Sequence, residues 1–409
     1  MKIRIIFFSA LIFCFNYTFA QTGINGNATV TGQTGVVTTT VPFLLISPDA
    51  RAGGMADAGV AVTSDANSIY WNPSKLAFAP DDMAFSASYT PWLSELVPDI
   101  SLTDISAYKK LDDKSGIGAS FRYFSLGDIT FTNAKNQNLN TFRPDEFAFD
   151  AGYARKLSEH FSIGLTGEFI YSDLSGGTTL SNGEVTRPAV DVAAGISAYY
   201  TKKINIGSKT ADFAFGVNVD NIGPKITYTE AAHKDFIPTN LKVGGYLNFH
   251  IDENNEIGVA LDLNKLLVPT PPIYEVNSKD SIVYNPDGSP KILNGKSSNV
   301  SVFQGMIQSF YDAPGGFKQE IALIDPSIAF EFLHAHKYAA RIGFFYEDPN
   351  EGNRQYLTLG VGFKYKWLNL DLSYLVPTNG GTTTTRSPLE NTFRFSLSAS
   401  ISKGKLVRN

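Results

Sequence analysis

The chain has 409 residues, of which 18% are charged and 13% aromatic, with a formal net charge of -5. That balance, without a long basic run, excludes nucleic acid as a partner, while a mean hydropathy of -0.07 is high for a soluble secreted protein. The one cysteine, Cys14, falls in the leader, so the mature chain is expected to have no disulfide, thiol chemistry or thiolate metal site.

Residues 1–20, MKIRIIFFSALIFCFNYTFA, have the form of a cleaved signal peptide. Lys2 and Arg4 precede an apolar run from Ile5 to Phe15, and Thr18 and Ala20 are the small residues that a signal peptidase reads. Phe13 before Cys14 argues against a lipoprotein. Beyond the leader no run approaches the roughly 18 apolar residues of a membrane helix. Residues 21–40 are expected to form a flexible mature N-terminus.

Residues 41–80 lack any strand period and are dominated by small side chains, as in PDARAGGMADAGVAV from Pro48 to Val62. Small residues let backbone pack closely in a confined space, and glycines permit tight turns there. This segment is predicted to be a hatch inside a barrel, with Arg51, Gly53, Gly54, Asp57, Trp71, Asn72 and Pro73 against the lumen. Asn72-Pro73 reads as a turn just before the first strand.

From Met83 the period becomes two. In TFRFSLSASIS, Phe393, Phe395, Leu397, Ala399 and Ile401 fall on one face and Arg394, Ser396, Ser398, Ser400 and Ser402 on the other. Fourteen such segments begin near Met83, Ile100, Ile117, Glu146, Phe161, Ala189, Asp212, Leu241, Glu256, Glu320, Tyr338, Gln355, Leu368 and Asn391. Short turns (LDDKS, LSEH, IDENN, HAHK, KWLN) alternate with long polar loops, and Tyr89, Trp92, Tyr153, Tyr171, Tyr199, Tyr200 and Trp367 lie near strand ends. The reading is all-β: a 14-stranded antiparallel transmembrane β-barrel over residues 81–403, with the N-terminal plug (hatch) inside the lumen and a tail at 404–409. Both termini then lie on the periplasmic side of the outer membrane.

Inward positions carry both signs: Arg122, Lys242, Arg341, Lys364 and Arg394 against Glu168, Asp191, Asp262, Glu331 and Asp371. A selective pore favours one sign, so a mixed set predicts a filled lumen. The long extracellular loop, residues 268–315, places Phe303, Met306, Ile307 and Phe310 at helical spacing, with Tyr311 following, Ser301 as a cap and Pro314-Gly315-Gly316 as a stop. Its oily face either lies over the barrel mouth as a lid or meets a partner. His334 and His336 have metal-like spacing but no clear third ligand in a short turn, and none of the five histidines adjoins a nucleophile motif. No metal, cofactor or catalytic residue is assigned.

The pattern DARAGGMADAGVAVTSDANSIYWNPSKLA resembles the hatch of FadL-like channels, with Ser74 in place of the alanine of their Asn-Pro-Ala turn. VPFLLISPDARAGGMADAGVA, SYTPWLSELVPDI, RYFSLGDITF and VFQGMIQSFYDAPGGF resemble the PorV (LptO) family of the type IX secretion system of Bacteroidetes, from about Val41 to the last strand. The resemblance implies a non-enzymatic outer-membrane component. It would bind cargo C-terminal signal domains at the large translocon barrel and shuttle them to a surface attachment complex with a sortase-like protease. Candidate partner-binding residues are Phe303, Met306, Ile307, Phe310 and Tyr311, with Trp92, Leu93 and Leu96 as a second set. The other readings are a FadL-like channel for hydrophobic small molecules and, remotely, lipid A deacylation.

Overall fold

The computed structural model describes residues 36–93, 97, 99–132, 138–179, 183–229, 234–378, 387–402 and 405–406. The expected signal peptide, most of the expected flexible N-terminus, Leu96 and His233 lie outside the described residues. Fourteen long strands form one antiparallel sheet. They are β1 (Met83–Pro91), β2 (Ser101–Lys110), β3 (Ser115–Ser125), β4 (Asp145–Lys156), β5 (Phe161–Asp173), β6 (Ala189–Ile206) and β7 (Lys209–Ile222). The second half comprises β8 (Asn240–His250), β9 (Asn255–Leu266), β10 (Asp325–His334), β11 (Tyr338–Tyr346), β12 (Gln355–Tyr365), β13 (Leu368–Pro377) and β14 (Thr392–Ser402). Each strand pairs with its chain neighbours, and β1 closes on β14 from Met83↔Ile401 to Tyr89↔Phe395. Closure leaves no unpaired edge for lipid to meet.

Alternation decides which way each strand faces. On β14, Phe393, Phe395 and Leu397 are exposed on the outside, while Arg394 and Ser396 are buried inside. The connections alternate as well. Residues 111–114, 157–160, 207–208, 251–254, 335–337 and 366–367 make the short side, and the segments 126–144 and 267–324 belong to the long side.

Two expectations need correction. The tenth strand begins at Asp325 rather than near Glu320, because Phe317–Ala322 is helical, with Phe317 and Ile321 exposed and Gln319 and Glu320 buried. Those pairs follow a helical spacing, not a period of two. Tyr199, expected at a membrane interface, points inward and donates to Ala61 O at 3.4 Å, and Trp92 packs at the mouth of the lumen. Beyond the barrel, Lys405–Leu406 pairs as a short strand with β14.

The non-strand elements are short: α1 (Ala50–Gly53), α2 (Ser68–Trp71), α3 (Val302–Gln308) and α4 (Phe317–Ala322), with 3-10 turns at Pro42–Leu45 and Pro73–Phe78. The segment from Val41 to Ala79 lies within the ring of strands and forms the middle of the core. Towards the long-loop end Val41, Phe43 and Leu44 pack with Leu102, Phe124, Ile170 and Ile237. Towards the short-turn end Ile69 and Leu76 pack with Tyr108 and Ala154.

Candidate functional site

The lumen is built by backbone meeting backbone. A Cβ added to Gly54 would stand 2.8 Å from Gly360 Cα on β12, and one added to Gly343 on β11 would stand 2.6 Å from Ala56 N. Glycine is therefore required on both sides of the contact, and the wall glycines are the half that sequence reading missed. Their signal is visible in retrospect: they occupy inward positions of strands otherwise rich in large residues. Turn formation is not the reason for Gly53 and Gly54, which are helical; the left-handed positions are Ala56 (φ 53) and Asp57 (φ 64).

Backbone donors freed by this tight path find side chains on the wall. Ala50 N donates to Ser396 Oγ at 2.8 Å, Ala56 N to Thr358 Oγ1 at 2.9 Å, and Gly59 N and Val60 N to Asp262 Oδ2 at 2.8 and 2.9 Å. Asp49 caps α1 through Ala52 N at 2.9 Å and accepts from Trp71 Nε1 at 2.7 Å. Burial pushes the Asp49 carboxyl up to about 6. Lys75, wholly buried, donates to Gly59 O at 2.6 Å, and burial pushes it down to about 8.

Asn72 and Ser74 anchor the far end of the segment. Asn72 Nδ2 donates to Val60 O and Ala198 O at 3.1 Å each, and its Oδ1 takes the Ser74 N–H and hydroxyl. Ser74 also donates from its N to Ser197 Oγ at 3.1 Å and accepts from Ser162 Oγ at 2.7 Å. Ser74 thus gains a hydroxyl bond that an alanine there would lack.

The inward charges pair along the wall, between strands that are neighbours or next neighbours in the sheet. Arg122 bonds Glu168 at 2.7 Å and Asp150 at 3.2 Å, Arg341 bonds Asp371 at 2.6 Å and Glu331 at 2.8 Å, and Lys242 bonds Asp220 at 2.7 Å. Two pairs tie the inner segment to the wall, Arg394 to Asp57 at 2.7 Å and Arg51 to Glu331 at 3.4 Å, and Arg51 also pairs with Asp65 within the segment at 2.9 Å. The Tyr70 ring lies between the Arg122 guanidinium, 4.9 Å away, and the Lys242 ammonium, 4.3 Å away. Lys364 and Asp191 stand apart from these pairs. Lys364 is exposed beside the short-turn vestibule, and Asp191 is half-buried near the opposite end. Pro73 opens the 3-10 turn after Asn72, and Trp71 is buried.

Above the inner segment, at the long-loop end, is a cavity of about 610 Å³. Trp92, Leu93, Phe43 and Tyr356 are among its walls, so Trp92 and Leu93 of the second candidate set face inward to the mouth instead of outward to solvent.

The oily helix is arranged in the opposite sense. Ser301 caps α3 through Gln304 N at 3.4 Å. The helix lays its small and polar side inward: Gly305 packs on Phe236 and Pro269, and Gln308 donates to Ser297 O at 2.8 Å. Phe303 and Ile307 are left 71% and 65% exposed, with Phe310 and Tyr311 also exposed and Met306 half-buried. Adjoining α4 adds Phe317, 80% exposed, and Ile321. A lid would turn this face down onto the mouth; here it faces away. Lys265 explains the posture. It shares the outward register of β9 with Leu261 and Leu263, yet it is buried because α4 brings Glu320 to within 3.3 Å of its ammonium. The α4 segment therefore folds over the outer side of the rim.

Among the described residues no group of three or more His, Cys, Asp or Glu side chains is placed to hold a metal. His334 Nδ1 lies 2.9 Å from Asn255 Oδ1, and His336 Nδ1 lies 3.6 Å from Glu256.

Comparison with curated proteins finds no match. Among solved structures, the toluene transporter TodX of Pseudomonas putida aligns at 10% identity and TM-score 0.44, over 85% of this chain and 95% of its own. The toluene transporter TbuX of Ralstonia pickettii aligns at 10% identity and TM-score 0.45, over 87% and 98%. A FadL homologue of Pseudomonas aeruginosa aligns at 11% identity and TM-score 0.41, over 87% and 99%. A closed fourteen-stranded barrel with an apolar outer band is an outer-membrane protein. The family described as "Type IX secretion system protein PorV" matches residues 29–273, more than half of the chain, and the chain belongs to that family.

Proposed function

We propose that this barrel receives and shuttles secreted proteins without catalysing a reaction. It binds cargo C-terminal signal domains at the large translocon barrel and carries them through outer-membrane lipid to the surface attachment complex with its sortase-like protease. The observation that supports this reading is the face of α3 and α4, where large apolar side chains stand exposed on a helix whose buried side is glycine and glutamine. Contiguous exposed apolar side chains of this kind mark interaction surfaces. Each Phe-sized side chain covered by a partner contributes roughly 1.5 to 3 kcal/mol. Trp92 and Leu93 supply a second apolar surface at the mouth.

Replacing Phe303, Ile307 and Phe310 together with Ser tests the reading. The expected outcome is a barrel that still reaches the outer membrane, loses association with cargo and translocon in gentle co-purification, and leaves cargo in the periplasm. Normal export and association in that variant would remove α3 as the docking face and shift the proposal to the surface of Trp92 and Leu93. The channel reading for hydrophobic small molecules has less support, since the inner segment occupies the lumen and is tied to the wall by ion pairs and backbone bonds. A channel also needs an apolar path onward.

A further inference from the structure

The inner segment crosses the lumen once, entering at the long-loop end. Residues 36–39 line the mouth cavity beside Trp92, Leu126, Glu351 and Leu389, which come from four different long-side connections. Thr40 is tied to a fifth, donating to Phe236 O from its N at 3.0 Å and from its Oγ1 at 3.1 Å. From there the contacts descend the barrel in chain order. Residues 41–44 pack with Leu102 and Phe124, residues 54–56 meet Gly360 and Thr358, and residues 69–76 pack with Tyr108 and Ala154. At the far end Asp82 N donates to Ile401 O at 3.0 Å and Asp82 O accepts from Lys110 N at 2.7 Å, where β14 ends and β2 meets its short turn.

The lumen offers no way back. Asp57 lines the mouth cavity of about 610 Å³, and Arg51 lines a second cavity of about 270 Å³ at the short-turn end, so residues 51–57 form a partition between the two. Backbone contact closes that partition, with Gly54 against Gly360 and Ala56 N on Thr358 Oγ1 at 2.9 Å. The Asp57–Arg394 pair at 2.7 Å fixes its edge to the wall. A second pass of chain would have to displace all three.

Outer-membrane barrels keep their short turns in the periplasm and their longer loops outside. We infer that the chain N-terminal to Val36 stands on the cell-surface side of the membrane. The C-terminal end is periplasmic, since Lys405–Leu406 pairs with Ile401 and Ser402 at the short-turn end of β14. The two ends of the protein therefore lie on opposite faces of the outer membrane instead of both in the periplasm. The stretch concerned, QTGINGNATVTGQTG from Gln21 to Gly35, has no charged side chain. Independently of the shuttle reading, it joins α3, α4 and the long loops as surface that an extracellular partner can meet.

The test uses the full-length chain in intact cells, with Cys14→Ser so that one added cysteine is the only thiol. Thr31→Cys reports the N-terminal stretch, and Thr38→Cys reports the exposed residue where the chain reaches the mouth. Asp287→Cys in the long loop and Asp113→Cys in a short turn, both exposed, report the two sides of the membrane. The reagent is a maleimide on a polyethylene glycol chain too large for porins, read as a gel shift. Thr31→Cys and Thr38→Cys should shift on intact cells to the same extent as Asp287→Cys, whereas Asp113→Cys should shift only once the outer membrane is permeabilised. Thr31→Cys behaving like Asp113→Cys overturns the inference, whether or not Thr38→Cys is labelled from outside. A second measurement needs no substitution: brief protease treatment of intact cells carrying the wild type should release peptides from residues 21–35, and their release only after permeabilisation would likewise overturn it. Labelling of Thr31→Cys should persist when Phe303, Ile307 and Phe310 are replaced by Ser, so loss of cargo association and failure of this inference are read separately.

Discussion

The inner segment and the extracellular α3–α4 segment treat apolar and small residues in opposite ways. Inside, Gly54 meets Gly360 across a gap that admits no Cβ, and every freed backbone donor named above has a wall side chain as partner. Outside, Gly305 and Gln308 are the buried side and Phe303, Ile307 and Phe317 are exposed. The first region is held by close packing and paired charges against the wall. The second leaves large apolar side chains exposed, the surface on which the proposed function rests.

The sharpest way to break the comparison is Gly54→Trp. The indole has no room against β12, so the inner segment should fail to seat, with most of the folded barrel lost as judged by heat-modifiable gel mobility. Normal mobility would mean that the segment can leave the lumen without harm.

Glu331→Ala comes next. It strips Arg51 and Arg341 of a shared, fully buried partner, and removing one member of such a cluster costs roughly 3 to 5 kcal/mol. Urea titration of the barrel in micelles should show the loss, and a midpoint equal to wild type would show that water reaches those guanidiniums.

A smaller effect is expected electrically. Reconstituted in planar bilayers, the wild type should conduct little, since Asp57–Arg394 and Arg51–Glu331 tie the inner segment to the wall. Large steady single-channel currents would contradict a filled lumen. The smallest effect belongs to the exposed face. Phe303, Ile307 and Phe310 replaced by Ser should change unfolding free energy by no more than about 0.5 kcal/mol per site, in contrast to any core change. A large destabilisation would show that the face already packs within the barrel.

Much of this was legible because strand period and loop length are local properties. The alternation around Phe393 and Arg394 gave each strand its inward face, and the same count gave fourteen strands. The failures share a physical cause. Glu320 sits in a short stretch whose helix is held by contacts distant in sequence, its ion pair with Lys265 and the Gln319 bond to Glu351 among them. Tyr199 and Trp92 lie where an aromatic belt belongs, but one position along a strand turns a ring from lipid to lumen. The mouth cavity was illegible because its walls come from residues as far apart as Ser47, Trp92, Glu351 and Arg394.

The amino-acid sequence by itself determined the barrel, the sidedness of its loops, the small-residue character of the inner segment and the helical phase of α3, since each depends on neighbours within about a dozen residues. Tertiary structure alone decided which glycine of the wall faces Gly54, that the oily side of α3 turns outward, and that Ser47, Trp92, Glu351 and Arg394 line one cavity. Those outcomes depend on which strands the closed ring brings opposite one another, and ring closure joins Met83 to Ile401, a distance along the chain that no local pattern spans.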